Sequence, residues 1–311
     1  MKAVFLDAAT FSIELKSPDS LSDYQSFDLT GSENLIIERA KDADILITNK
    51  VQISAQIMDA LPKLKLIQIA ATGTNNVDLE AAKARNIKVL NVSGYSTKSV
   101  PEHTFMMILT ILRAGMHYHK LVGAPWIEDG KFCLLDCDIF DLHDKTLGIV
   151  GAGNIGSRVA QITKAFGANV LISERINKEP RSGRVAFERV LEESDIICLH
   201  CPLCEETEHL INKNTISKMK KRPIIINAAR GGVVDVNAIS EAIKNEKILG
   251  FGSDVFECEP IDAQNPLLEL KDHPRVFLTP HNAWASQGAQ RKSWEIICAQ
   301  INDFVLQTRA Q

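Results

Sequence analysis

The sequence lacks an apolar run long enough to span a bilayer, and it lacks a long run of Lys or Arg. Its start also lacks the long apolar region and small-residue cleavage site of a signal peptide. We therefore expect a cytoplasmic protein with no membrane partner. The formal net charge of −4 argues against a nucleic-acid or lipid surface as the main partner. A small-molecule ligand is the better expectation.

Cysteine is scarce, with seven residues in the chain. An odd number without an export signal fits reduced thiols in the cytoplasm. Cys198, Cys201 and Cys204 have CxxCxxC spacing, which could in principle hold a metal. However, Cys198 lies in a strand-like apolar run and the other two lie beside Pro202. We interpret the three as buried or loop thiols and expect no metal.

Short apolar, β-branched runs alternate with helix-like segments, and this pattern predicts parallel strands with helical crossovers. The first hundred residues contain KAVFL, ADILIT, LKLIQIAA and IKVLNV. Six further strands are predicted between Thr146 and Pro280, in TLGIVG, ANVLIS, DIICLHC, PIIINAA, ILGFGSDV and RVFLTP. Six strands match a complete doubly wound nucleotide-binding sheet. The predicted fold class is α/β.

The chain exceeds the usual size of a single core, so two domains are expected. A long connecting helix is predicted from Pro101 to about His117, because Pro is tolerated at a first helical position. An ordered loop is predicted over Lys131–Asp144. The chain is predicted to end on a helix, whose buried face steps by three and four residues. That face consists of Trp294, Ile297, Ile301, Phe304 and Val305.

The clearest chemical motif is GAGNIG, which directly follows the predicted strand TLGIV and precedes an apolar-periodic helix. Gly151 permits a tight turn, Gly153 lets a pyrophosphate approach the backbone, and Gly156 allows close packing of helix on strand. Free N–H groups at the helix start, around Asn154 and Ile155, would hold the anion. The motif predicts a dinucleotide site.

The end of the next strand carries the residues that bear on cofactor choice. Glu174 would accept hydrogen bonds from the adenosine ribose and repel a 2′-phosphate, which favours NAD over NADP. Arg175 beside it could instead bind that phosphate, so NADP stays possible. A solvated carboxylate with no ligand is the alternative interpretation of Glu174.

Three consecutive strands of the second series each end near one polar residue. Arg230 follows PIIINAA, Glu259 follows the next strand, and His281 follows the one beyond. The carboxyl ends of parallel strands are where ligands bind in open α/β sheets. Reduction of a keto acid requires a cation for the carboxylate and a proton donor for the developing alkoxide. These three side chains are the candidates.

The sequence resembles the D-isomer-specific 2-hydroxyacid dehydrogenase family over nearly its whole length. The motifs that carry the resemblance are GAGNIG, LHCPLCEETEHLIN, INAARGGVVD, DVFECEP and TPHNAW. AATGTNNVDLEAA and TPHNAWAS look most like the glycerate dehydrogenase, or hydroxypyruvate reductase, branch. The resemblance implies reversible hydride transfer between NADH and a small 2-keto acid, with hydroxypyruvate and glyoxylate as the expected substrates.

The resemblance also implies roles for individual residues. The family's catalytic arginine, glutamate and histidine fall on Arg230, Glu259 and His281, with Glu257 as a competitor for the glutamate role. The loop of Thr72 and Gly73 matches the cradle for the substrate carboxylate, while Trp284 could shape the substrate pocket or simply pack. Besides the glycine motif, Glu174 and Arg175, the implied cofactor contacts are Thr97, Cys201, Pro202, Ala228, Ala229, Arg230, Asp254 and His281.

The family architecture implies two Rossmann-like doubly wound domains with a cleft between them. The substrate domain is expected to combine residues 1–99 with 283–311, and the NAD-binding domain to span 100–282. A homodimer joined through the nucleotide domains is expected, with Trp126 in the matching arm. Two departures from the family pattern are Cys258, which could make activity sensitive to oxidation, and Glu174 where aspartate is commoner.

Two other classes of protein have a similar sequence pattern. One is an NAD(H)-sensing interaction protein of the corepressor type, which the presence of the three polar residues does not exclude. The other is a formate-type dehydrogenase, which usually has glutamine in place of the catalytic acid. Glu259 argues against the second alternative.

Overall fold

The computed structural model describes residues 1–310. The chain separates into two compact units, the first formed by Met1–Ser96 with the segment that begins at Ala285, and the second by Thr97–Trp284. Within the described residues the strands are β1 (Lys2–Phe5), β2 (Asp23–Ser26), β3 (Ile45–Thr48), β4 (Leu66–Ile69), β5 (Lys88–Leu90), β6 (Thr146–Val150), β7 (Asn169–Ile172), β8 (Ile196–Leu199), β9 (Ile224–Asn227), β10 (Gly250–Ser253) and β11 (Val276–Leu278).

The α-helices connect the strands and cover the sheets. Within the same residues they are α1 (Glu33–Ala40), α2 (Ala55–Asp59), α3 (Leu79–Ala84), α4 (Ser99–Leu112), α5 (Gly115–Leu121), α6 (Ala124–Asp129), α7 (Asn154–Ala165), α8 (Phe187–Glu193), α9 (Lys213–Ser217), α10 (Val236–Lys244) and α11 (Gln287–Arg309). None of the helices in residues 1–310 is both long and apolar enough to cross a membrane.

The first unit contains a parallel sheet of order β2-β1-β3-β4-β5. Val4, Leu46 and Ile67 point into the core on one face of this sheet. On the opposite face the ring of Phe5 stacks on Trp294 of α11, with centroids 5.8 Å apart. The terminal helix is confirmed, and four of its five predicted apolar residues are buried, whereas Phe304 is only half-buried. The sequence pattern did not predict β2, because its residues are mostly exposed at the sheet edge and lack the apolar β-branched composition used to find the others.

The second unit contains a parallel sheet of order β11-β10-β9-β8-β6-β7. All six strands predicted between Thr146 and Pro280 are present, so the α/β prediction is confirmed. The strand order reverses between β6 and β8, and in open sheets that position forms the crevice for a dinucleotide. Gly151 begins the turn that follows β6 at this position.

The predicted helix from Pro101 to about His117 was wrong in its extent. Helix α4 ends at Leu112, and α5 begins only after Ala114, whose φ of 45° is left-handed. The buried guanidinium of Arg275 bonds to the carbonyl oxygens of Ile111 and Leu112, at 2.6 and 3.1 Å. A cation on the last carbonyls stabilises a helix end, so a residue distant in sequence favours termination here.

Candidate active site

The turn after β6 has the shape that a pyrophosphate requires. Gly151 has a φ of 96°, and a Cβ there would lie 2.5 Å from the backbone nitrogen of Cys201. A Cβ at Gly156 would lie 2.2 Å from the carbonyl oxygen of Gly151, so α7 can approach β6 this closely only with glycine. Gly153 caps α7 and has no side chain to occupy the first N–H groups of that helix. These N–H groups, including those of Asn154 and Ile155, fit an anionic dinucleotide.

The carboxylate of Glu174, which follows β7, is buried and saturated with donors. Arg181 donates from Nε to Oε2 and from Nη2 to Oε1, both at 2.6 Å. The pKa of Glu174 is held well below its usual range. The hydrogen bonds from the Arg181 guanidinium have the largest effect, and the backbone N–H of Arg175 has the next largest. The sequence interpretation had this carboxylate accepting ribose hydroxyls, whereas the structure shows it accepting from an arginine.

The cysteines of the CxxCxxC segment face different surroundings. Cys198 packs in the core on one face of the second sheet, whereas Cys201 packs in the core on the other face. Burial raises the pKa of both thiols, that of Cys201 to about 11. Cys204 is exposed. Within residues 1–310 no group of three or more His, Cys, Asp or Glu side chains is placed to hold a metal ion.

The clearest catalytic geometry joins the loops after β10 and β11. The Nδ1 atom of His281 lies 2.6 Å from Oε2 of Glu259. The other carboxylate oxygen of Glu259 accepts from the backbone N–H of Phe256 at 3.0 Å, which orients the carboxylate. The competing acid, Glu257, instead pairs with His209 at 2.7 Å. Both side chains of the Glu259–His281 pair are about a quarter to a third exposed, 30% and 26%, so solutes can reach the imidazole.

Arg230 lies in the loop after β9, the strand next to β10. It is exposed, and its Nη1 donates to the carbonyl oxygen of Ala229 at 2.7 Å. The following Gly231 makes an unusually close approach, since a Cβ there would lie 2.0 Å from the carbonyl carbon of Phe256. The loop that carries Arg230 is therefore packed directly against the loop that leads to Glu259.

Asp254 anchors the loop that carries His281. Its Oδ1 accepts from the Thr279 hydroxyl at 2.6 Å and from the Asn282 N–H at 2.9 Å, and its Oδ2 accepts from the Ala283 N–H at 2.9 Å. These bonds lie on both sides of His281, whose φ of 52° is left-handed and uncommon for a residue with a side chain. The anchored loop thus holds His281 in a conformation that it would not favour alone.

A half-buried histidine completes this network. The Nε2 atom of His103 on α4 lies 2.9 Å from the Thr279 hydroxyl oxygen. Burial lowers the pKa of His103, although the negative charge of Asp254 opposes this effect. Because the Thr279 hydroxyl donates to Asp254, it accepts from Nε2–H of a neutral His103. The chain of donors therefore runs from His103 through Thr279 to Asp254.

The remaining predicted residues occupy separate places. Thr72 belongs to the first unit, where its hydroxyl donates to the Val92 carbonyl at 2.9 Å and its carbonyl accepts from the Asn91 amide at 2.7 Å. These bonds fix the backbone that leads to Gly73. The second unit carries the remaining predicted cofactor residues and Trp284: Thr97, Cys201, Pro202, Ala228, Ala229 and Trp284.

Sequence reasoning missed Arg181, His103 and Thr279. The arginine-rich stretch RINKEPRSGR is visible in the sequence, but its pairing with Glu174 depends on a loop that folds back on β7. His103 leaves a weak signal, since it is a polar residue within the apolar segment of α4. Thr279 is the first residue of the TPHNAW motif, but the motif alone does not reveal its hydrogen bonds to His103 and Asp254.

Comparison with known proteins gives consistent matches. Residues 105–283 match the family described as D-isomer specific 2-hydroxyacid dehydrogenase, NAD binding domain. The chain is 38% identical to the glycerate dehydrogenase of Methylorubrum extorquens, covering 98% of this chain and 95% of that one. It is 31% identical to the hydroxypyruvate reductase of Blautia hydrogenotrophica, covering 98% and 97%. A solved D-lactate dehydrogenase from Aquifex aeolicus, complexed with NAD and lactic acid, superposes with a TM-score of 0.79 at 29% identity, covering 97% and 95%.

Proposed function

Because the chain belongs to the D-isomer-specific 2-hydroxyacid dehydrogenase family, whose NAD-binding domain it contains, we propose that it reduces hydroxypyruvate to D-glycerate and glyoxylate to glycolate. It is an oxidoreductase that acts on the CH–OH group of 2-hydroxy acids. Two relatives that match it along almost their full length, a glycerate dehydrogenase and a hydroxypyruvate reductase, support this choice of substrate.

The observation that carries the proposal is the pairing of His281 with Glu259 at 2.6 Å. A carboxylate accepts but does not donate, so the Nδ1 atom that faces it carries a hydrogen. The proton on Nε2 of the imidazolium is then the one available to the carbonyl oxygen of a keto acid. Glu259 stabilises the positive charge on the ring while the negative charge grows on that oxygen.

We assign positioning of the substrate to Arg230, Thr72 and Gly73. The planar guanidinium of Arg230 can grip a carboxylate with two parallel hydrogen bonds, which a lysine could not reproduce. In the first unit we assign binding of a substrate carboxylate to the backbone of Thr72 and Gly73, which the bonds of Thr72 to Asn91 and Val92 hold in place. We assign contact with the substrate side chain to Trp284.

NADH supplies the hydride when it is bound. We propose that the GAGNIG turn holds its pyrophosphate through Gly151, Gly153, Asn154, Ile155 and Gly156. The other cofactor contacts of this proposal are Thr97, Glu174, Arg175, Cys201, Pro202, Ala228, Ala229, Arg230, Asp254 and His281.

The deciding experiment follows NADH oxidation with a panel of hydroxypyruvate, glyoxylate, pyruvate and a branched 2-keto acid. We expect kcat/KM for hydroxypyruvate or glyoxylate to exceed that for the branched acid by at least about ten-fold, because a pocket discriminates by roughly this factor per misfitted methylene. Chiral chromatography of the hydroxypyruvate product should show D-glycerate.

A preference for the branched acid would overturn the substrate assignment while leaving the reaction class intact. A protein that binds NADH but oxidises none with any keto acid would favour the NAD(H)-sensing alternative. An L-configured product would contradict the proposed reduction to D-glycerate.

We further propose that the protein is a homodimer joined through the segment 122–139. Four large apolar side chains of this segment are more than two thirds exposed: Val122 at 69%, Ile127 at 78%, Phe132 at 95% and Leu135 at 75%. Trp126 of the same segment is also exposed. Apolar side chains grouped in this way on a surface mark an interaction site, and two-fold pairing of identical surfaces is the commonest way to cover one. The cytoplasmic location stays a prediction.

A further inference from the structure

A buried glutamine lies in the first sheet. Gln68 belongs to β4 and is completely buried, although the other three residues of this strand are apolar. A buried amide costs free energy unless it is hydrogen-bonded. The Nε2 atom of Gln68 donates to Oε1 of Gln300 at 2.9 Å and to the carbonyl oxygen of Ile69 at 3.3 Å. The side chain of Gln68 therefore points toward α11, the helix that carries Gln300.

The orientation of the Gln300 amide is fixed by its two partners. Its Oε1 accepts from Gln68, and its Nε2 donates to the carbonyl oxygen of Asn91 at 3.2 Å. Asn91 directly follows β5, the strand that pairs with β4. A side-chain amide has one accepting and one donating end, so Gln68 determines that the donating end of Gln300 faces Asn91.

The segment after β5 holds the backbone that the proposed function assigns to the substrate carboxylate. The Nδ2 atom of Asn91 donates to the carbonyl oxygen of Thr72 at 2.7 Å. The carbonyl oxygen of Val92 accepts from the Thr72 hydroxyl at 2.9 Å, and the Val92 N–H donates to the Ala71 carbonyl at 3.0 Å. Thr72 is therefore bonded to two consecutive residues, and the first of them is bonded to Gln300.

The helix that carries Gln300 is a firm support for these bonds. Ile297 and Ile301, on the same helix, are completely buried. All of these residues belong to the first unit, which combines Met1–Ser96 with the segment that begins at Ala285. A side chain on a packed helix holds a binding loop more precisely than a side chain on another loop does.

We propose that Gln300 is a positioning residue for the substrate, because the amide network of Gln68, Gln300 and Asn91 holds the Thr72 backbone where the carboxylate of a keto acid binds. This inference rests on the proposed function, which assigns that backbone to the carboxylate. Gln300 acts through Asn91 and Thr72. The carboxylate does not react, so its binding is the same in the ground state and in the transition state, and loss of its positioning changes KM and not kcat.

The first test is Gln300→Leu, which removes the amide and keeps a side chain of similar size. We expect KM for hydroxypyruvate to rise about ten-fold, which corresponds to a weakened hydrogen bond to a charged group. The value of kcat should change by less than about two-fold. KM for NADH should also stay within about two-fold, because the glycine motif belongs to the second unit.

The matched control is Asn302→Leu. Asn302 is another half-buried amide of α11, and its Oδ1 accepts from the N–H and the hydroxyl of Ser20 at 3.0 and 2.7 Å. These bonds join the same helix to a different part of the unit, so KM for hydroxypyruvate should stay within about two-fold. An equal rise of KM in both variants would overturn the proposal, as would an unchanged KM in Gln300→Leu.

A second variant, Gln300→Glu, has the shape of the wild-type side chain and serves also if Gln300→Leu does not fold. Its carboxylate can accept from Gln68 but cannot donate to Asn91, so KM for hydroxypyruvate should rise. Half-burial beside a carbonyl oxygen raises the pKa of a carboxyl group, and protonation restores a donor. The ratio of variant to wild-type KM should therefore fall toward one between about pH 7.5 and about pH 5. A constant ratio would contradict the role of this hydrogen bond.

Hydrogen–deuterium exchange separates this inference from the proposed function, because it requires no turnover. The Val92 N–H should exchange at least about five-fold faster in Gln300→Leu than in the wild type or in Asn302→Leu. A wild type that reduces no keto acid, together with this difference in exchange, would contradict the proposed function alone. Reduction of hydroxypyruvate with equal exchange in all three proteins would contradict the present inference alone.

Discussion

The imidazole of His281 is held through one nitrogen, and about a quarter of the side chain, 26%, is exposed. Glu259 occupies Nδ1 at 2.6 Å, and its second oxygen is fixed by the Phe256 N–H. A ring oriented in this way keeps one defined position for the proton it gives, which is the condition for efficient proton transfer. The same loop region contains a second pair of this kind, His209 with Glu257 at 2.7 Å, which has no assigned role in the reaction.

The two pairs allow a controlled test of the general acid. His281→Ala should lower kcat for keto-acid reduction by at least about 100-fold, because general acid catalysis is worth roughly 10²- to 10⁴-fold. NADH should still bind to this variant in a fluorescence titration, so that the lost rate can be assigned to the chemical step. His209→Ala removes an equivalent histidine–glutamate pair and should leave kcat within about two-fold. A His281→Ala enzyme that keeps a tenth or more of the wild-type rate would refute the assignment.

Single residues differ in how far the sequence could predict them. Arg230, Glu259 and His281 could be found because each follows a strand that the apolar pattern identifies, and parallel strands end at the same edge. Arg181 could not, because its contact with Glu174 depends on the path of the loop between β7 and Val185. A carboxylate in the expected position can therefore be correctly located and yet have a different partner.

At the scale of elements, the strands of the second sheet were predictable and the helix ends were not. Strands β8 and β9 are fully buried apolar runs, which composition alone reveals. The end of α4 depends on Arg275, a residue more than 160 positions away along the chain, which bonds to its last carbonyls. The edge strand β2 carries too little apolar surface to be recognised by the same criterion. The local sequence pattern thus identifies buried strands, but it does not predict a helix end that a distant residue determines.

The loop between β11 and α11 is an element whose conformation rests on Asp254 and Thr279. Thr279→Val keeps the shape of the side chain but leaves His103 Nε2–H without its acceptor and removes one donor from buried Asp254. Loss of a partner for a buried polar group costs about 1–3 kcal/mol, so the free energy of unfolding in urea should fall by about that amount. We also expect kcat to fall several-fold, because the loop that holds His281 in its left-handed conformation is loosened.

Thr279→Ser supplies the control for this prediction. It retains the hydroxyl between His103 and Asp254, so both stability and kcat should stay close to those of the wild type. If Thr279→Ser loses as much activity as Thr279→Val, the methyl group and not the hydrogen-bond chain is what matters, and the anchoring role of this network is wrong.

At the scale of the whole molecule, the segment 122–139 groups large apolar side chains that a single chain leaves exposed. Phe132 is 95% exposed and Ile127 is 78% exposed. Covering apolar area stabilises an interface by roughly 25 cal/mol per Å² before the costs of association are subtracted. A second copy of the chain would offer the same apolar side chains in a self-complementary arrangement, and this is the basis of the proposed homodimer.

Light scattering after size-exclusion chromatography tests the dimer directly. The wild type should have twice the chain mass of 34.4 kDa, and Phe132→Glu should return it to the single-chain mass, because a carboxylate at the centre of an apolar interface loses its hydration. Leu306→Glu is the matched control, since Leu306 is a large apolar residue of α11, 60% exposed and far from this segment in sequence. That variant should stay dimeric.

A wild type that elutes with the mass of one chain at all concentrations would show that these apolar side chains serve another purpose. If both variants dissociate the dimer equally, the interface is not centred on Phe132.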